Sequence, residues 1–343
     1  MLVHGGGYPL RMARNMHPTP DHRPVAVVAG GSRGLGLQVC RELVGRGYLV
    51  HATGRDAATL ARAEASFGGP GGPFRPHTCD VRDPDAVGAV VGSVLSEHGG
   101  IDAAVHVAGV IGVGGLEGVT LGHLHEAVDT MLWGPVHLAF AVLPSMRERG
   151  HGRIGVVSSV GGLVAVPRLL PYSVAKFGAV GLAEGLAAEL AGTGVTATSV
   201  TPWLMRTGGH VHARFTGDAE VDDGWFAPGA TWPLLSLPVD RAARRIVDGV
   251  LAGRPVVSTS PWVAVARRVH GVAPATTVRA LGLAARLLPG TSPERDWRRT
   301  DTPATEGHEL GRRSRALRVL AGPGRRAAHR QNQDASGVGR PPG

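Results

Sequence analysis

The stretch PVAVVAGGSRGLG, residues 24–36, decides how this chain folds. Its first half is a short apolar run, Val25–Ala29, which predicts a buried β-strand. Its second half is rich in glycine and opens an amphipathic helix predicted over Gly34–Arg46. A strand, a glycine-rich turn and a helix in this order are typical of a dinucleotide-binding unit, where backbone N–H groups at the helix start bind a pyrophosphate. The glycine spacing is GxxxGxG rather than GxGxxG, so a chance cluster in a loop is the alternative.

Beyond this unit, short apolar strands alternate with helices as far as residue 259. Further strands are predicted at Tyr48–Thr53, Phe74–Cys79, Ile101–Ala108, Arg153–Ser158, Val195–Thr201 and Pro255–Thr259. Helices are predicted at Asp56–Phe67, Asp83–His98, Leu121–Met131, Pro135–Arg149, Tyr172–Ala191 and Asp240–Ala252. Near-continuous apolar strands that alternate with helices form parallel sheets covered on both faces. The predicted fold class is therefore α/β: a Rossmann-like, doubly wound parallel sheet of about seven strands, in a single domain with disordered ends.

Four regions are predicted along the chain. Residues 1–23 form a disordered extension, and residues 24–260 form the nucleotide-binding domain. Residues 261–290 form an apolar and basic helical segment, expected to pack on the domain, with attachment to a surface as the alternative. Residues 291–343 form an arginine-rich tail whose low complexity predicts disorder.

Composition excludes several classes of protein. The net charge of +9 is carried by arginine, and the tail from residue 291 holds eleven arginines against six acids. The body is therefore only mildly basic, which disfavours nucleic acid as a partner. The two cysteines, Cys40 and Cys79, have no CxxC partner, so neither a disulfide framework nor a metal site is expected. With no apolar leader and no run of eighteen apolar residues, a cytoplasmic protein is predicted.

The only lysine of the chain, Lys176, follows Tyr172 by four residues. On a helix this spacing places both side chains on one face. An ammonium near a phenol favours the phenolate, so we expect the pKa of Tyr172 to fall below its usual value near ~10. Arginine is a poor replacement, because its guanidinium is a wide fork and the ammonium is a compact charge. Alone, the pattern YxxxK is short enough to occur by chance.

The second predicted strand indicates which nicotinamide cofactor is bound. An acidic residue there would hold the ribose hydroxyl of NAD, but the strand ends in ATGR with Arg55 and no carboxylate. Arg33 and Arg55 would clamp a 2′-phosphate, so NADP(H) is predicted over NAD(H). Two solvated surface arginines are the alternative. Asp80 is placed either to meet an adenine amino group or to cap a helix, and Asp83 suits the capping role better.

Together these segments resemble the short-chain dehydrogenase/reductase family over roughly residues 24–259. The resemblance implies a catalytic set of Ser159, Tyr172 and Lys176, with Ser159 preferred over Ser158 because the latter should face the other side of the strand. It implies substrate contacts from Ser159, Tyr172 and Trp203. It implies that the cofactor is bound by Gly30, Ser32, Arg33, Gly34, Leu35, Gly36, Arg55, Asp80, Val81, Ala108, Gly109, Tyr172, Lys176, Pro202 and Thr207.

By this resemblance Ser159 orients a substrate oxygen, Tyr172 exchanges a proton with it, and Lys176 lowers the pKa of Tyr172 and holds ribose hydroxyls. Three positions depart from the family pattern. His106 stands where the family has an asparagine, Met131 replaces a second asparagine that supports proton relay, and Trp203 replaces a glycine. These changes keep a weak or inactive enzyme as an alternative.

The expected function is the interconversion of an alcohol and a carbonyl on an apolar small molecule by an NADP(H)-dependent oxidoreductase. A long loop over 203–238 carries five aromatic residues, which favour either an apolar pocket or ordinary core packing. The rival hypothesis is a non-catalytic NADP-binding sensor or scaffold. Family analogy favours a homo-oligomer, and the C-terminal segment favours at most weak peripheral membrane contact.

Overall fold

The computed structural model describes residues 23–206, 212–217, 219, 221–224, 226, 236–288, 294–306, 309 and 331–333. Its strands are β1 (Val25–Ala29), β2 (Leu49–Gly54), β3 (Phe74–Thr78), β4 (Ala103–His106), β5 (Gly112–Val113), β6 (Gly152–Val157), β7 (Val195–Thr201), β8 (Met205–Arg206), β9 (Arg214–Phe215), β10 (Leu237–Pro238), β11 (Val256–Ser258) and β12 (Thr305–Glu306). Its α-helices are α1 (Gly34–Gly45), α2 (Ala57–Ala65), α3 (Pro84–His98), α4 (Leu121–Val128), α5 (Gly134–Arg149), α6 (Leu170–Glu189), α7 (Val239–Leu251), α8 (Pro261–Val272) and α9 (Pro274–Arg286).

Seven parallel strands form the main sheet, in the order β11-β7-β6-β4-β1-β2-β3. This confirms the predicted Rossmann-like, doubly wound sheet, and every predicted strand is present within a few residues of its expected bounds. The strand order reverses between β1 and β4, because the chain passes from one half of the sheet to the other after β3. A crevice opens at the carboxyl ends of strands at such a point, which is where this fold class binds its ligands.

Helices cover both faces of the sheet, which explains why the strands are apolar without alternation. One core lies under α3, α5 and α6 and includes Val27, Leu138 and Ala183. The other lies under α1 and α7 and includes Val28 and Ile246. Adjacent residues of β1 therefore supply opposite cores, as the two-residue period of a strand requires.

Side chains at the helix starts fix where α2 and α3 begin. The Asp56 carboxylate accepts a hydrogen bond from the Thr59 N–H at 2.6 Å. The Asp83 carboxylate accepts from the N–H groups of Asp85 and Ala86 at 2.9 and 3.1 Å. Each aspartate thus satisfies N–H groups that a helix start leaves without intrahelical acceptors. The expected capping role of Asp83 agrees with this geometry.

Among the described residues, one helical stretch, Leu121–Arg149, is long and apolar enough to cross a membrane by length and composition. It consists of α4, a turn of π-helix at Asp129–Trp133, and α5. Its apolar side chains Leu138, Val142 and Met146 are buried against the main sheet. Core packing therefore accounts for its apolar character.

Residues 294–306 differ from the expected disordered tail. The backbone carbonyls of Trp297 and Arg299 accept hydrogen bonds from the N–H groups of Leu121 and Gly122, at 2.9 and 3.0 Å. These donors open α4 and have no intrahelical acceptor, which is why the returning chain stabilises them. Farther on, β12 pairs with β9, which also pairs with β5, so a second, three-stranded sheet forms beside the crevice.

Candidate active site

The glycine-rich turn lies between β1 and α1 at the mouth of the crevice, as the sequence predicted. The N–H groups of Gly30 and Gly31 both donate to the Thr53 carbonyl at 3.0 Å, which fixes the turn against β2. A Cβ atom at Gly36 would lie 1.9 Å from the Gly30 carbonyl oxygen. Only glycine at position 36 therefore lets the helix start approach the turn closely enough to form this cradle.

Two arginines mark the outer end of the crevice. Arg33 and Arg55 both line it, and Arg55 follows β2 directly. Burial in the crevice lowers the pKa of Arg33, and the neighbouring positive charge of Arg55 lowers it further, while Glu306 and Asp56 oppose this effect. Because the positive charges of the two arginines repel each other, a bound anion would stabilise both charged side chains.

The remaining predicted cofactor contacts surround the same crevice, whose volume is about 600 Å³. The lining includes Gly30, Ser32, Gly34, Leu35, Gly36, Asp80, Val81, Ala108, Gly109, Tyr172, Lys176 and Pro202. The Asp80 carboxylate is already bound by the Arg82 guanidinium, with Nε at 2.9 and 3.0 Å from its two oxygens. Thr207, the last predicted contact, lies outside the described residues.

Ser159, Tyr172 and Lys176 meet at the inner end of the crevice. Ser159 is the second residue after β6, and α6 carries the other two on one face, as the four-residue spacing predicted. The Ser159 hydroxyl lies close enough to Tyr172 to act on its pKa, which it lowers. A Cβ atom at Gly161 would lie 3.0 Å from the Tyr172 ring, so glycine makes room for this contact.

Ser158 faces the other side of the strand, as expected. Its buried hydroxyl donates to the Lys176 carbonyl at 2.7 Å and so anchors α6 against β6. The two adjacent serines therefore have separate positions, one inside the protein and one in the crevice.

The expected lowering of the Tyr172 pKa is wrong for the protein without cofactor. Burial raises the pKa of Tyr172, and the hydrogen bond with Ser159 offsets this only in part. The Lys176 ammonium lies 5.8 Å from the centre of the Tyr172 ring and donates to the Val157 carbonyl at 2.8 Å. Burial lowers the pKa of Lys176 itself to about 8.

His106 and Met131 stand at two of the three departures from the family pattern. His106 is buried at the end of β4, where burial and the Lys176 charge lower its pKa to about 3. Its Nε2 atom has no hydrogen-bond partner among the described residues. Met131 is buried in the π-helical turn, lines the crevice and comes close to Gly109. Thr130 beside it brings a buried hydroxyl to the same wall.

An apolar wall closes the inner end of the crevice. Trp203 lines it, and its backbone N–H donates to the Thr259 hydroxyl at 3.0 Å. Phe226 also lines it and packs edge to face on Phe215, with ring centres 6.2 Å apart. Phe215 is buried in a small core beside the crevice. The loop aromatics thus supply both a pocket wall and core packing, and Trp225 and Trp232 lie outside the described residues.

Sequence reasoning missed the segment Gln331–Gln333, which lies in the cofactor end of the crevice. The Gln331 carbonyl accepts from the Gly34 N–H at 2.8 Å. The Asn332 side-chain amide donates to the carbonyls of Ser32 and Thr59, both at 2.9 Å. No periodicity or motif distinguishes these three residues within the tail, so no sequence signal identifies them.

Comparison with known proteins gives the family of this chain. The family model for short chain dehydrogenases matches residues 24–215. A granaticin polyketide synthase putative ketoacyl reductase from Streptomyces violaceoruber is 32% identical over 192 residues, which cover 55% of this chain and 71% of the relative.

Solved structures show the same architecture. A short-chain dehydrogenase from Streptomyces avermitilis has a TM-score of 0.65 and 25% identity, covering 78% of this chain and 99% of that one. A variant of actinorhodin polyketide ketoreductase with NADPH has a TM-score of 0.60 and 27% identity, covering 68% and 95%. The family match spans more than half of the residues, from β1 to β9, and includes the glycine-rich turn and the elements that carry Ser159, Tyr172 and Lys176. This chain belongs to the short-chain dehydrogenase family of oxidoreductases.

Proposed function

We propose that this protein is an NADP(H)-dependent reductase that interconverts a carbonyl and an alcohol on an apolar small molecule. The observation that carries the proposal is the convergence of the Ser159 and Tyr172 hydroxyls and the buried ammonium of Lys176 at the inner end of the crevice. This arrangement offers a proton donor, a second hydroxyl to orient an oxygen atom, and a cation beside them.

The residues present fit a phosphorylated dinucleotide. The cradle at Gly36, which a Cβ atom would fill, suits a pyrophosphate, and the two neighbouring cations Arg33 and Arg55 suit a 2′-phosphate. Bound NADP(H) would supply the hydride equivalent that the protein lacks. NADPH in the actinorhodin ketoreductase structure and NADP in a metagenomic relative of 33% identity support this preference.

Tyr172 is proposed to exchange the proton with the substrate oxygen. Because burial raises its pKa, the neutral hydroxyl can donate its proton to a carbonyl oxygen. Ser159 would hold the same oxygen through its hydroxyl, while its own Oγ accepts the Gly161 N–H at 3.2 Å. Lys176 would favour the tyrosinate left after donation, since an adjacent cation stabilises a phenolate.

The substrate is proposed to be an apolar ketone. Trp203, Phe226 and Met131 line the crevice near the hydroxyl pair and offer few polar partners to a substrate. The ketoacyl reductases among the relatives favour a ketone on an acyl chain within this class.

The test is NADPH consumption with a panel of hydrophobic ketones. Replacing a proton donor removes a contribution of about 10²–10⁴-fold, so Tyr172→Phe should lose that much turnover and still bind NADPH. Tyr48→Phe is the matched control, because Tyr48 does not line the crevice. If Tyr172→Phe turns over ketones at the wild-type rate, the proposed role is refuted.

Cofactor preference is tested with Arg55→Ala, using Arg254→Ala as the control away from the crevice. We expect Arg55→Ala to weaken NADPH at least tenfold and to leave NADH binding unchanged, since only NADPH carries the 2′-phosphate. Equal effects on the two cofactors would contradict the assignment.

The rival function is an NADP-binding sensor without turnover, and Met131 is the observation that favours it. A thioether in the π-helical turn cannot hold a relay water as an amide can. NADPH binding without consumption on any ketone, aldehyde or alcohol in the panel would favour the sensor over the reductase.

A second surface is proposed to contact anionic membranes. Helices α8 and α9 leave large apolar side chains in solvent, with Trp262 67%, Val272 88% and Leu287 85% exposed. Residues 261–288 also contain four arginines and no acid. Exposed apolar side chains beside cations are typical of helices that lie on anionic lipid.

The test is sedimentation with vesicles of mixed anionic and zwitterionic phospholipid, compared with purely zwitterionic vesicles. We expect binding only to the anionic vesicles, reduced in Trp262→Ser and kept in Trp133→Ser, which alters a comparably exposed tryptophan elsewhere. Equal binding to both kinds of vesicle, or none, would refute the proposed contact.

A further inference from the structure

Three histidines and a glutamate converge away from the crevice, at the end of α3. His51 Nε2 lies 3.0 Å from His98 Nε2, and His51 Nδ1 lies 2.9 Å from His77 Nε2. The Glu97 carboxylate lies 3.4 Å from His98 Nε2. His51, Glu97 and His98 each offer one ligand atom, and all three atoms lie within 4.8 Å of one another.

The fold brings these residues together from separate elements. His51 on β2 pairs with Arg75 of β3, and Thr53 pairs with His77, so His51 and His77 project from the same face of the sheet. Helix α3 covers that face, and its last residue is His98. The sequence predicted no metal site because its two cysteines have no CxxC partner, and the four residues of this cluster are scattered and carry no ligand motif.

From this geometry we infer that His51, His98 and Glu97 bind a divalent transition-metal ion, with zinc as the first candidate. Ligand atoms on a tetrahedral zinc ion, with bonds of about 2.0–2.1 Å, lie about 3.3 Å apart. The His51–His98 and His98–Glu97 ligand atoms, 3.0 and 3.4 Å apart, lie on either side of that value, and the third pair lies within 4.8 Å. Two imidazoles and one carboxylate are a donor set that zinc, nickel and cobalt accept.

His77 serves as the outer partner of this site. A metal-bound imidazole generally donates its other N–H to a neighbouring acceptor, which fixes the ring orientation. With Nε2 on the ion, His51 has its Nδ1–H directed at His77 Nε2, 2.9 Å away. Three protein ligands leave a fourth position for water, and Glu97 is exposed enough for an ion to enter from solvent.

The ion would link two strands of the sheet to the end of α3 and so stabilise this half of the domain. None of the four residues lines the crevice. The inference is therefore independent of the proposed reductase chemistry. The competing interpretation is a chain of hydrogen bonds between neutral imidazoles, which needs no ion.

The test measures zinc bound by the full-length protein after treatment with a chelator and dialysis. The chain contains sixteen histidines, so adventitious binding is expected and the comparison between variants decides. Wild type and His151→Gln, which removes a histidine outside the cluster, should both hold one tight equivalent. His98→Gln and Glu97→Gln should each lose that equivalent or bind it at least tenfold more weakly.

Three further measurements sharpen the result. Cobalt should give a visible absorption spectrum typical of nitrogen and oxygen ligands in wild type and not in His98→Gln. Zinc should raise the thermal midpoint of wild type and leave that of His98→Gln unchanged. His77→Gln should weaken zinc binding by about 10–100-fold.

Glu97 is mostly exposed, so Glu97→Gln keeps the test valid if a histidine variant folds poorly. The inference is overturned if His98→Gln and Glu97→Gln bind zinc with the stoichiometry and affinity of wild type. That result would favour the competing interpretation, a chain of hydrogen bonds between neutral imidazoles.

Discussion

Replacing Lys176 by methionine should make the protein without cofactor more stable while it impairs the proposed chemistry. The ammonium is 4% exposed, and burial alone lowers its pKa from 10.5 to about 8. This lowering of the pKa corresponds to a destabilisation of the folded state by about 3 kcal/mol, at about 1.36 kcal/mol for each pKa unit. Methionine fills a similar volume and removes the charge.

One loss opposes this gain. The Lys176 ammonium donates to the Val157 carbonyl at 2.8 Å, and losing that hydrogen bond costs about 1 kcal/mol. The net expectation is a stabilisation of about 2 kcal/mol at pH 7. A domain of this size changes its thermal midpoint by about 2–4 °C for each kcal/mol, so the midpoint should rise by about 4–8 °C.

The pH dependence gives the decisive comparison. Because the folded-state pKa lies below the unfolded-state pKa, the cost of the buried charge is fully present below pH 8 and disappears above about pH 10.5. Between pH 8 and about pH 10.5, the wild type therefore becomes more stable relative to the Lys176→Met variant. Guanidinium unfolding at pH 7 and pH 10 without cofactor measures the difference in unfolding free energy between wild type and the variant. Tyr172→Phe is the control that keeps the lysine. A variant less stable than wild type at pH 7, or a difference that does not change with pH, would refute the reasoning.

Three further predictions concern the crevice and the C-terminal segments 294–306 and 331–333. Gly36→Ala should abolish NADPH binding in a fluorescence titration and keep the circular dichroism spectrum, because the new Cβ atom meets the Gly30 carbonyl at 1.9 Å. Deleting 331–343 should tighten NADPH binding, because the Gly34 N–H loses its carbonyl acceptor in the tail; weaker binding would count against this. Deleting 294–343 should lower the thermal midpoint of unfolding, because the first N–H groups of α4 lose their acceptors, and an unchanged midpoint would contradict it.

The fold was predictable because its signals are local. Val25–Ala29 is apolar at every position and fully buried, and Asp83 stands directly before the helix it caps. The short strands β5, β9 and β12 could not be predicted, since two residues carry no periodicity and their pairing depends on chain segments far apart in sequence. The prediction of disorder from residue 291 did not anticipate the contacts of residues 294–306 with α4. Low complexity describes composition and says nothing about the acceptors that the first N–H groups of α4 require.

The site was predictable where one segment carries several of its groups. Tyr172 and Lys176 share a helix face because of their spacing, and the two serines separate because a strand alternates. The direction of the Tyr172 pKa was not predictable, because it depends on burial and on where the ammonium points. The cluster of His51, His77, Glu97 and His98 was missed for a related reason, since separate elements supply its four residues.

The pairing of β12 with β9 makes the order of synthesis matter. The main sheet lacks only its edge strand β11 once β7 has left the ribosome, so the cofactor half of the crevice can form early. The small sheet beside the substrate wall gains its outer strand only when Thr305–Glu306 has emerged. A nascent or prematurely terminated chain would therefore have its glycine-rich cradle before the small sheet beside the crevice is complete.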